Sequence, residues 1–504
     1  MTEIEGAKER SLFVHRPNTS RERIRDFLFR SQEPPSLAES HDEPSLELRK
    51  GEPFPFVIAI IPAYNEELSI VKTIEGLRDQ SRHADEIIVL ADNCTDETVG
   101  LALAEGVSVV ETVGNSAGKA GGLNFLLAQL LPMLDEKDCI LVMDADTVLS
   151  PRFIEATVRQ LTIQTERPIG GVGGIFLADD DEWNLVRQLQ ANEYTRYRRR
   201  LGRRKGRALV LTGTGTIFLV KVLREVAASR IAGRLPDPGK GRAVYDVSAL
   251  TEDNELSICI KSLGYRILSP KQCTVATAMM PTWFSLYKQR RRWQRGALEN
   301  LIAHRVNRHT APYIARQLMT YLGVFFLPFY LYTLTISLVT NSDINFLQPL
   351  WILVALVYVF EQTFSVRKGG WRAILLSLSV LPELALNIFL DVVYIASFDG
   401  ALFAEDEAWG RMRHLSKLDM EKNGKPHETV MRNQLPSLYG THKSRMTRKQ
   451  YFIPNSIIFA LVAVFSVATL LPIYSLQTAW NIISVYVVIG FVATLGRLIP
   501  VRTS

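Results

Sequence analysis

From residue 56 the chain repeats one pattern: an unbroken apolar run, a short polar stretch, then apolar positions at three- and four-residue spacing. "FVIAIIPAYNEE" predicts a buried strand that ends in a proline-containing loop, and "ELSIVKTIEGLRDQ" after it predicts a helix. "DEIIVLADNCTDET" and "DCILVMDADTVL" repeat the strand-to-polar-loop form, and "VSVVET" is a further strand. "VGLALAEG", closed by Gly106, and "GGLNFLLAQLLPML" are helices. Such alternation predicts an α/β domain with a mainly parallel sheet and helices on both faces. Ligands of such sheets bind beyond the carboxyl ends of the strands. Three of those ends carry "YNEE", "DNCTD" and "DADT".

The pattern changes on either side. Residues 1–50 are charged and punctuated by "EPPS" and "DEPS", which predicts a disordered segment with room for one short helix in "RERIRDFLF" (21–29). Residues 51–310 have the pattern of a soluble globular domain. After 316 come uncharged runs long enough to cross a bilayer core of ~30 Å at about 1.5 Å per residue. The expected spans are 317–340, 344–366, 452–474 and 477–496, within a membrane region of 311–504. The segment 399–450 holds ten Lys and Arg and is expected inside. Residues 373–398 contain Pro382, Glu383, Asn387 and Asp391 and are expected as an interfacial or re-entrant helix. The resulting expectation is a multi-pass protein of the cytoplasmic (plasma) membrane, with its catalytic domain and both termini inside. No stretch before residue 56 has the form of a signal peptide.

Charge adds little to this. The formal net charge is +6, concentrated in "RYRRRLGRRKGR" (196–207) with smaller clusters at 290–295 and 443–449. No nucleic-acid motif accompanies these arginines, so anionic headgroups of a lipid bilayer and phosphate-bearing substrates are the expected partners, and nucleic acid is not. The four cysteines include no Cys-x-x-Cys, which suits a reducing compartment and suggests neither disulfides nor zinc. The eight histidines form no ligand pair at helical spacing.

Asp144 and Asp146 stand two apart at a strand end, where side chains share a face and paired carboxylates can hold Mg2+ or Mn2+. The competing role is capping, by Asp146 or Thr147, of the helix in "PRFIEATVRQL". Asp92 is a ligand candidate at the neighbouring strand end, while Asp96 and Glu97 are assigned to a helix cap after Thr95. "NSAGKAGGLN" (115–124) is glycine-rich, and Lys119 in it can meet phosphate, although the segment is not a P-loop. Asp253 in "TED" (251–253) is either part of a helix N-cap or a general base. "QRRRWQRG" (289–296) is either a basic flank of a membrane span or a catalytic element at the membrane surface.

The motifs "PAYNE", "DNCTD", "GKAGGLN", "DADT", "TED" and "QRRRW", in this order and followed by membrane spans, resemble the processive family 2 glycosyltransferases. These are the synthases of cellulose, chitin, hyaluronan and poly-N-acetylglucosamine. The resemblance covers residues 55–300 by motif and implies a GT-A fold and inverting hexosyl transfer from a UDP-sugar. It implies that Tyr64, Glu66 and Asp92 surround the uridine, with Lys119 nearby and Asp144 facing the nucleotide. Asp146 is then the metal ligand and Asp253 the base, while Gln289, Arg292 and Trp293 close over the diphosphate and the acceptor sugar. "GTGTIFLV" (213–220) sits where related synthases have a glycine-rich acceptor segment. Unlike cellulose synthase, the sequence shows no span before this domain. An acceptor channel is therefore expected from the later spans, a homo-oligomer or an export partner. The acceptor is a polysaccharide or glycolipid, and the sugar is of the glucose or N-acetylglucosamine type. The rival readings are a single transfer to a lipid phosphate and, more remotely, a non-enzymatic transporter or scaffold.

Overall fold

The computed structural model describes residues 55–163, 165–178, 183–236, 243–324, 349–402, 407–408 and 441–442. Strands β1 (Val57–Ala63), β2 (Glu86–Asp92), β3 (Ser108–Thr112) and β4 (Cys139–Met143) are parallel neighbours in the order β3-β2-β1-β4. A second sheet joins β5 (Thr147–Leu149), β10 (Thr274–Thr277) and β7 (Ile175–Ala178) in that order. The main sheet continues from β4 through β8 (Gly215–Leu219), β6 (Ile169–Gly173) and β9 (Arg266–Leu268). Only β8 runs against the others in this sheet, antiparallel to both β4 and β6. The expectation of a mainly parallel sheet holds.

Alternation along β1 explains the layers. Ile58 and Ile60 face one side, where α3 (Gly118–Leu130), α6 (Val220–Ile231) and α7 (Glu252–Ser262) bury leucines and valines against them. Val57, Ala59 and Ile61 face the other, covered by α1 (Ile70–Arg78), α2 (Thr98–Ala104) and α4 (Phe153–Thr162). Both faces are therefore dry, which is why these strands read as continuous apolar runs. Gly174, between β6 and β7, has no room for a side chain: a Cβ there would lie 2.0 Å from Val275 Cγ2.

The remaining helices are α5 (Leu185–Arg203), α8 (Trp283–His304), α9 (311–324), α10 (Pro349–Val366), α11 (Gly370–Leu378) and α12 (Leu381–Leu402). Val186 and Leu189 of α5, Leu286 of α8 and Leu386 of α12 share one apolar cluster, so the C-terminal helices dock directly on the domain. The segment expected as one helix over 373–398 is two, broken at Val380, whose φ of 59° lies in the left-handed region, just before Pro382. Among the described residues one helix, Leu381–Ala401, is long and apolar enough to cross a membrane. Segment 1–50 with its helix at 21–29, spans 452–474 and 477–496, and most of 399–450 lie outside the described residues. Of spans 317–340 and 344–366, only residues up to 324 and from 349 are described.

The basic run 196–207 is exposed at Arg200, Arg204, Lys205 and Arg207, but two of its arginines are spent on the C-terminal helices. Arg196 makes a two-pronged ion pair with Glu383 of α12, at 2.8 and 2.7 Å, and reaches Ser365 of α10 and Ser377 of α11. Arg199 pairs with Glu361 of α10 at 3.8 Å. A second charge cluster ties α6, α7 and α8 together. The fully buried Glu255 carboxylate accepts from Arg230 at 2.6 and 3.2 Å and meets His304 Nε2 at 2.8 Å. Burial opposes its ionisation, but Arg230 and then His304 hold Glu255 well below the usual carboxylate range. Arg230→Met leaves that carboxylate without its main partner and is expected to cost about 3–5 kcal/mol. Adding Glu255→Gln should recover part of the loss, and urea unfolding followed by circular dichroism measures both.

Candidate active site

The loops after β1 and β2 are laced together. Asn65 and Asn93, each with φ 54°, turn the chain sharply at the two strand ends, a conformation asparagine tolerates better than most residues. Thr95 N donates to Asn65 Oδ1 at 2.8 Å, and Glu66 N donates to Thr98 Oγ1 at 2.8 Å. Glu66 accepts from Ser69 Oγ at 2.9 Å and, like Tyr64, is half-buried. Asp96 accepts from Thr98 N at 3.1 Å, so its capping role is real, whereas Glu97 occupies the N-cap position without a side-chain cap bond. Asp92 is buried, and its Oδ1 accepts from Thr112 Oγ1 at 2.7 Å and Asn115 Nδ2 at 2.8 Å. That second bond carries the site from "DNCTD" into the glycine-rich segment.

The glycine-rich segment is not an open loop. Helix α3 begins at Gly118, which places Lys119 in its first turn, and a Cβ on Gly121 would lie 2.5 Å from Asn115 Oδ1. Lys119 Nζ donates to Asp144 Oδ1, lies 3.8 Å from Glu252 and reaches Gly213 O at 3.4 Å. One ammonium thus joins the end of β4, the first turn of α7 and the loop before β8. Burial works against its charge, but Asp144 and then Glu252 hold Lys119 above its ordinary range. Burial, then the Glu252 charge, push Asp253 up to about 6. Burial also raises Asp144, against the pull of Lys119. Gly213 gives Asp253 its space, since a Cβ there would lie 3.2 Å from Asp253 Oδ2. Tyr245, buried beside these carboxylates, has its phenol pushed up by burial and then by Glu252 and Asp253.

One capping alternative fails, and the other holds by position without a side-chain bond. Helix α4 starts at Phe153 with Arg152 at its N-cap, so Asp146 and Thr147 do not cap it. Thr147 instead locks the acidic turn, donating to Asp144 O at 2.9 Å and Thr214 O at 3.0 Å, while Asp146 stays half-buried at the turn. In "TED", Thr251 occupies the N-cap of α7 but makes no side-chain cap bond. Its backbone and side-chain oxygens accept from Asn300 of α8, at 3.0 and 3.1 Å. A Cβ on Gly296 would lie 2.4 Å from Thr251 Oγ1, so "TED" and "QRRRWQRG" are in direct contact.

Within that second motif the arginines differ. Arg295 is fully buried and pairs with Glu299 at 2.8 Å, and Arg290 pairs with Glu193 of α5 at 2.8 Å. Neither is free to anchor headgroups. Arg292 is exposed, and Gln289 has a buried Oε1 with no hydrogen-bond partner. Trp293 lies parallel to Phe176, with ring centroids 6.1 Å apart, and under the Arg290 guanidinium at 4.8 Å. These two neighbours cover part of the ring, which stays half-buried.

Residues 55–296, which contain this whole constellation, match the family described as glycosyltransferase-like family 2. This segment is a glycosyltransferase family 2-like domain. The chain is 27% identical over 252 residues to the probable glycosyltransferase YdaM of Bacillus subtilis (strain 168), covering 48% of this chain and 55% of that protein. The chain therefore spans about half the length of that curated relative. Solved structures similar to it include a mannosyltransferase from Pyrobaculum calidifontis in complex with GDP-Man and Mn2+. That one is 18% identical, covers 69% of this chain and 87% of its own, and has a TM-score of 0.44. Another is glucosyl-3-phosphoglycerate synthase from Mycobacterium tuberculosis in complex with Mn2+, UDP and phosphoglyceric acid. It is 20% identical, covers 50% of this chain and 78% of its own, and has a TM-score of 0.33.

The family 2-like domain also holds functional neighbours that motif reading passed over. Glu252, Tyr245 and Gly213 crowd Asp253; Glu252 carried a signal as the middle letter of "TED" and Gly213 as the start of "GTGTIFLV", whereas Tyr245 carried none. Glu255, Cys259 and His304 put potential ligand atoms within 4.8 Å of one another, but Arg230 already occupies both Glu255 oxygens. A divalent cation there would face a guanidinium, so this cluster is an ion-pair core.

Removing the Lys119 ammonium tests the electrostatics. Asp144 and Asp253 already hold their protons more tightly than free aspartates, so folding loses stability as pH rises from about 4 towards 6. Lys119→Met raises both groups further and extends that loss to higher pH. The variant should match wild type at pH 4 and be less stable by about 1–3 kcal/mol at pH 7.5, as measured by unfolding across pH.

Proposed function

We propose that the chain is a metal-dependent, inverting glycosyltransferase that moves a hexose from a UDP-sugar to a growing β-linked polysaccharide and helps export it. The observation that carries this reading is the direct contact between "TED" and the helix of "QRRRWQRG", in which Thr251 meets Gly296 and, one turn on, Asn300. A mere basic flank of a membrane span has no reason to interlock with a carboxylate-bearing helix start.

The chemistry follows from the residues. Asp253, with its carboxyl near 6, is ionised at neutral pH yet basic enough to accept the proton of an acceptor hydroxyl. As the acceptor oxygen bonds to the anomeric carbon, the bond to the diphosphate breaks and its electron pair leaves with UDP. Lys119 and the exposed Arg292 are the cations that meet the charge developing on the leaving group. Tyr64, Glu66 and Asp92 hold the uridine end, and Gln289 and Trp293 the acceptor end. Asp144 and Asp146 offer hard oxygen donors, which fit Mg2+ or Mn2+, with Asp146 the ligand. Such an ion, when bound, offsets diphosphate charge. The apolar helix Leu381–Ala401, packed beside α8, supports a membrane setting with the domain on the cytoplasmic side, where nucleotide sugars are made. The second reading, single transfer to a lipid phosphate, shares the fold, the Asp-x-Asp element and the apolar helix, but gives "QRRRW" no part and its phosphate acceptor needs no base.

Incubating the purified chain with a panel of radiolabelled nucleotide sugars and sizing the product tests the reading, since a singly glycosylated lipid would replace the polymer by the second reading. Asp253→Asn keeps a hydrogen-bonding side chain but no base, and is expected to bind UDP normally while losing nearly all transfer. For wild type, kcat/KM should fall as pH drops through about 6, because the base is then protonated. Glu252→Gln removes the adjacent charge and should move that limb to lower pH. Asp146→Ala should abolish activity and its response to added Mg2+ or Mn2+, and full turnover by wild type in excess EDTA would remove the metal from the scheme.

A further inference from the structure

We infer that Phe176 is a positioning residue, which sets the plane of the Trp293 ring and thereby the seat of the acceptor sugar. The inference rests on the reading that Trp293 touches that sugar. Phe176 lies on β7, a strand held in register with β10, where it pairs with Val275. Its ring is parallel to Trp293 within 7° and stacks on Tyr194 of α5 at 5.2 Å. Arg290 completes the frame: its guanidinium lies 4.8 Å from the Trp293 ring centre and 5.7 Å from that of Tyr194, and it is tethered to Glu193.

Three elements thus contribute to one ladder of rings, Tyr194 from α5, Phe176 from β7 and Trp293 from α8. Simple space-filling does not need this. An aliphatic side chain on β7 would fill the same volume, but only a flat ring constrains the tilt of the indole beside it. Sugar stacking depends on that tilt, because the pyranose must lie against an aromatic surface to gain from the contact. Phe176 therefore acts on the acceptor through Trp293 and not on the uridine, whose candidate ligands Tyr64, Glu66 and Asp92 lie at the ends of β1 and β2.

The test uses the full chain, a β-1,4-linked tetrasaccharide of glucose or N-acetylglucosamine as acceptor, and UDP release as the rate. Phe176→Leu should raise the acceptor KM roughly 2- to 10-fold, the range expected for one aromatic contact, with kcat and UDP affinity little changed. Phe176→Tyr should restore the wild-type value. Where the leucine variant does not fold, Phe176→Met replaces it. Ring geometry is read separately by fluorine NMR of protein labelled with 5-fluorotryptophan, the Trp293 signal being assigned by its loss in Trp293→Phe. That signal should move in Phe176→Leu and return in Phe176→Tyr. If Trp293→Ala raises the acceptor KM but Phe176→Leu does not, this inference falls alone. If Trp293→Ala leaves it unchanged, the acceptor reading of Trp293 falls and takes the inference with it.

Discussion

The Glu255 carboxylate is sealed from solvent, and a bare carboxylate in that position would take up a proton and lose its grip on its neighbours. It stays ionised because Arg230 meets it from α6 and His304 meets it from α8. The same guanidinium donates to Pro236 O and to Val244 O at 3.1 Å, which fixes the residue next to Tyr245. Asp253 stands two residues before Glu255 in the first turn of α7, so fixing one fixes the other. His304 closes the helix that begins with Trp283 and carries residues 289–293. One buried charge therefore sets the candidate base and the "QRRRW" helix in the same frame.

A second anchor does for the C-terminal helices what Glu255 does for the site. Arg196 spends its guanidinium on three helices at once, through Ser365, Ser377 and Glu383. Asn192 Nδ2 adds a bond to Glu383 at 3.0 Å. An acidic residue in an apolar helix is costly, and Glu383 and Glu361 are retained where each has an arginine of α5 to face. These pairs fix α10 and α12 against α5, so the domain and the apolar helices meet through specific contacts.

Period and composition made the first half of the domain legible. The apolar runs of β1, β2 and β4 are continuous because both faces are covered, and the polar residues that end them stand where ligands bind in such sheets. The order of six motifs carried the candidate site, since no single one separates a ligand from a cap. What the sequence could not display was partnership across long separations. Arg196 and Arg199 in "RYRRRLGRRKGR" look like surface residues because their counter-charges lie about 160 to 190 residues downstream, in segments that read as an interfacial or re-entrant helix and a membrane span. The helix expected from "GGLN" starts three residues earlier, at Gly118, and takes in Lys119, while Gly121 packs against Asn115 where a Cβ would not fit. Phe176 gave no signal at all, being one apolar residue in a strand.

The geometry of α8 resolves why four arginines and a tryptophan crowd into eight residues. Residues three and four apart share a helix face. Gly296 and Asn300 form the stripe that meets Thr251, and Arg292 lies four residues back along it, about 6 Å at the usual helical rise. The helix thus carries an exposed cation one turn from the "TED" contact. Arg295 and Glu299 turn inward as a pair, which secures the helix without using that stripe. Arg290 and Trp293 form a third line that runs to Glu193 and Phe176, and Ser397 of α12 donates to Arg291 O at 3.4 Å on yet another side. Each position in "QRRRWQRG" thus answers to a different neighbour. The density of charge comes from a single helix serving the domain core, the candidate base and the apolar helices at once, and of its arginines only Arg292 is left exposed.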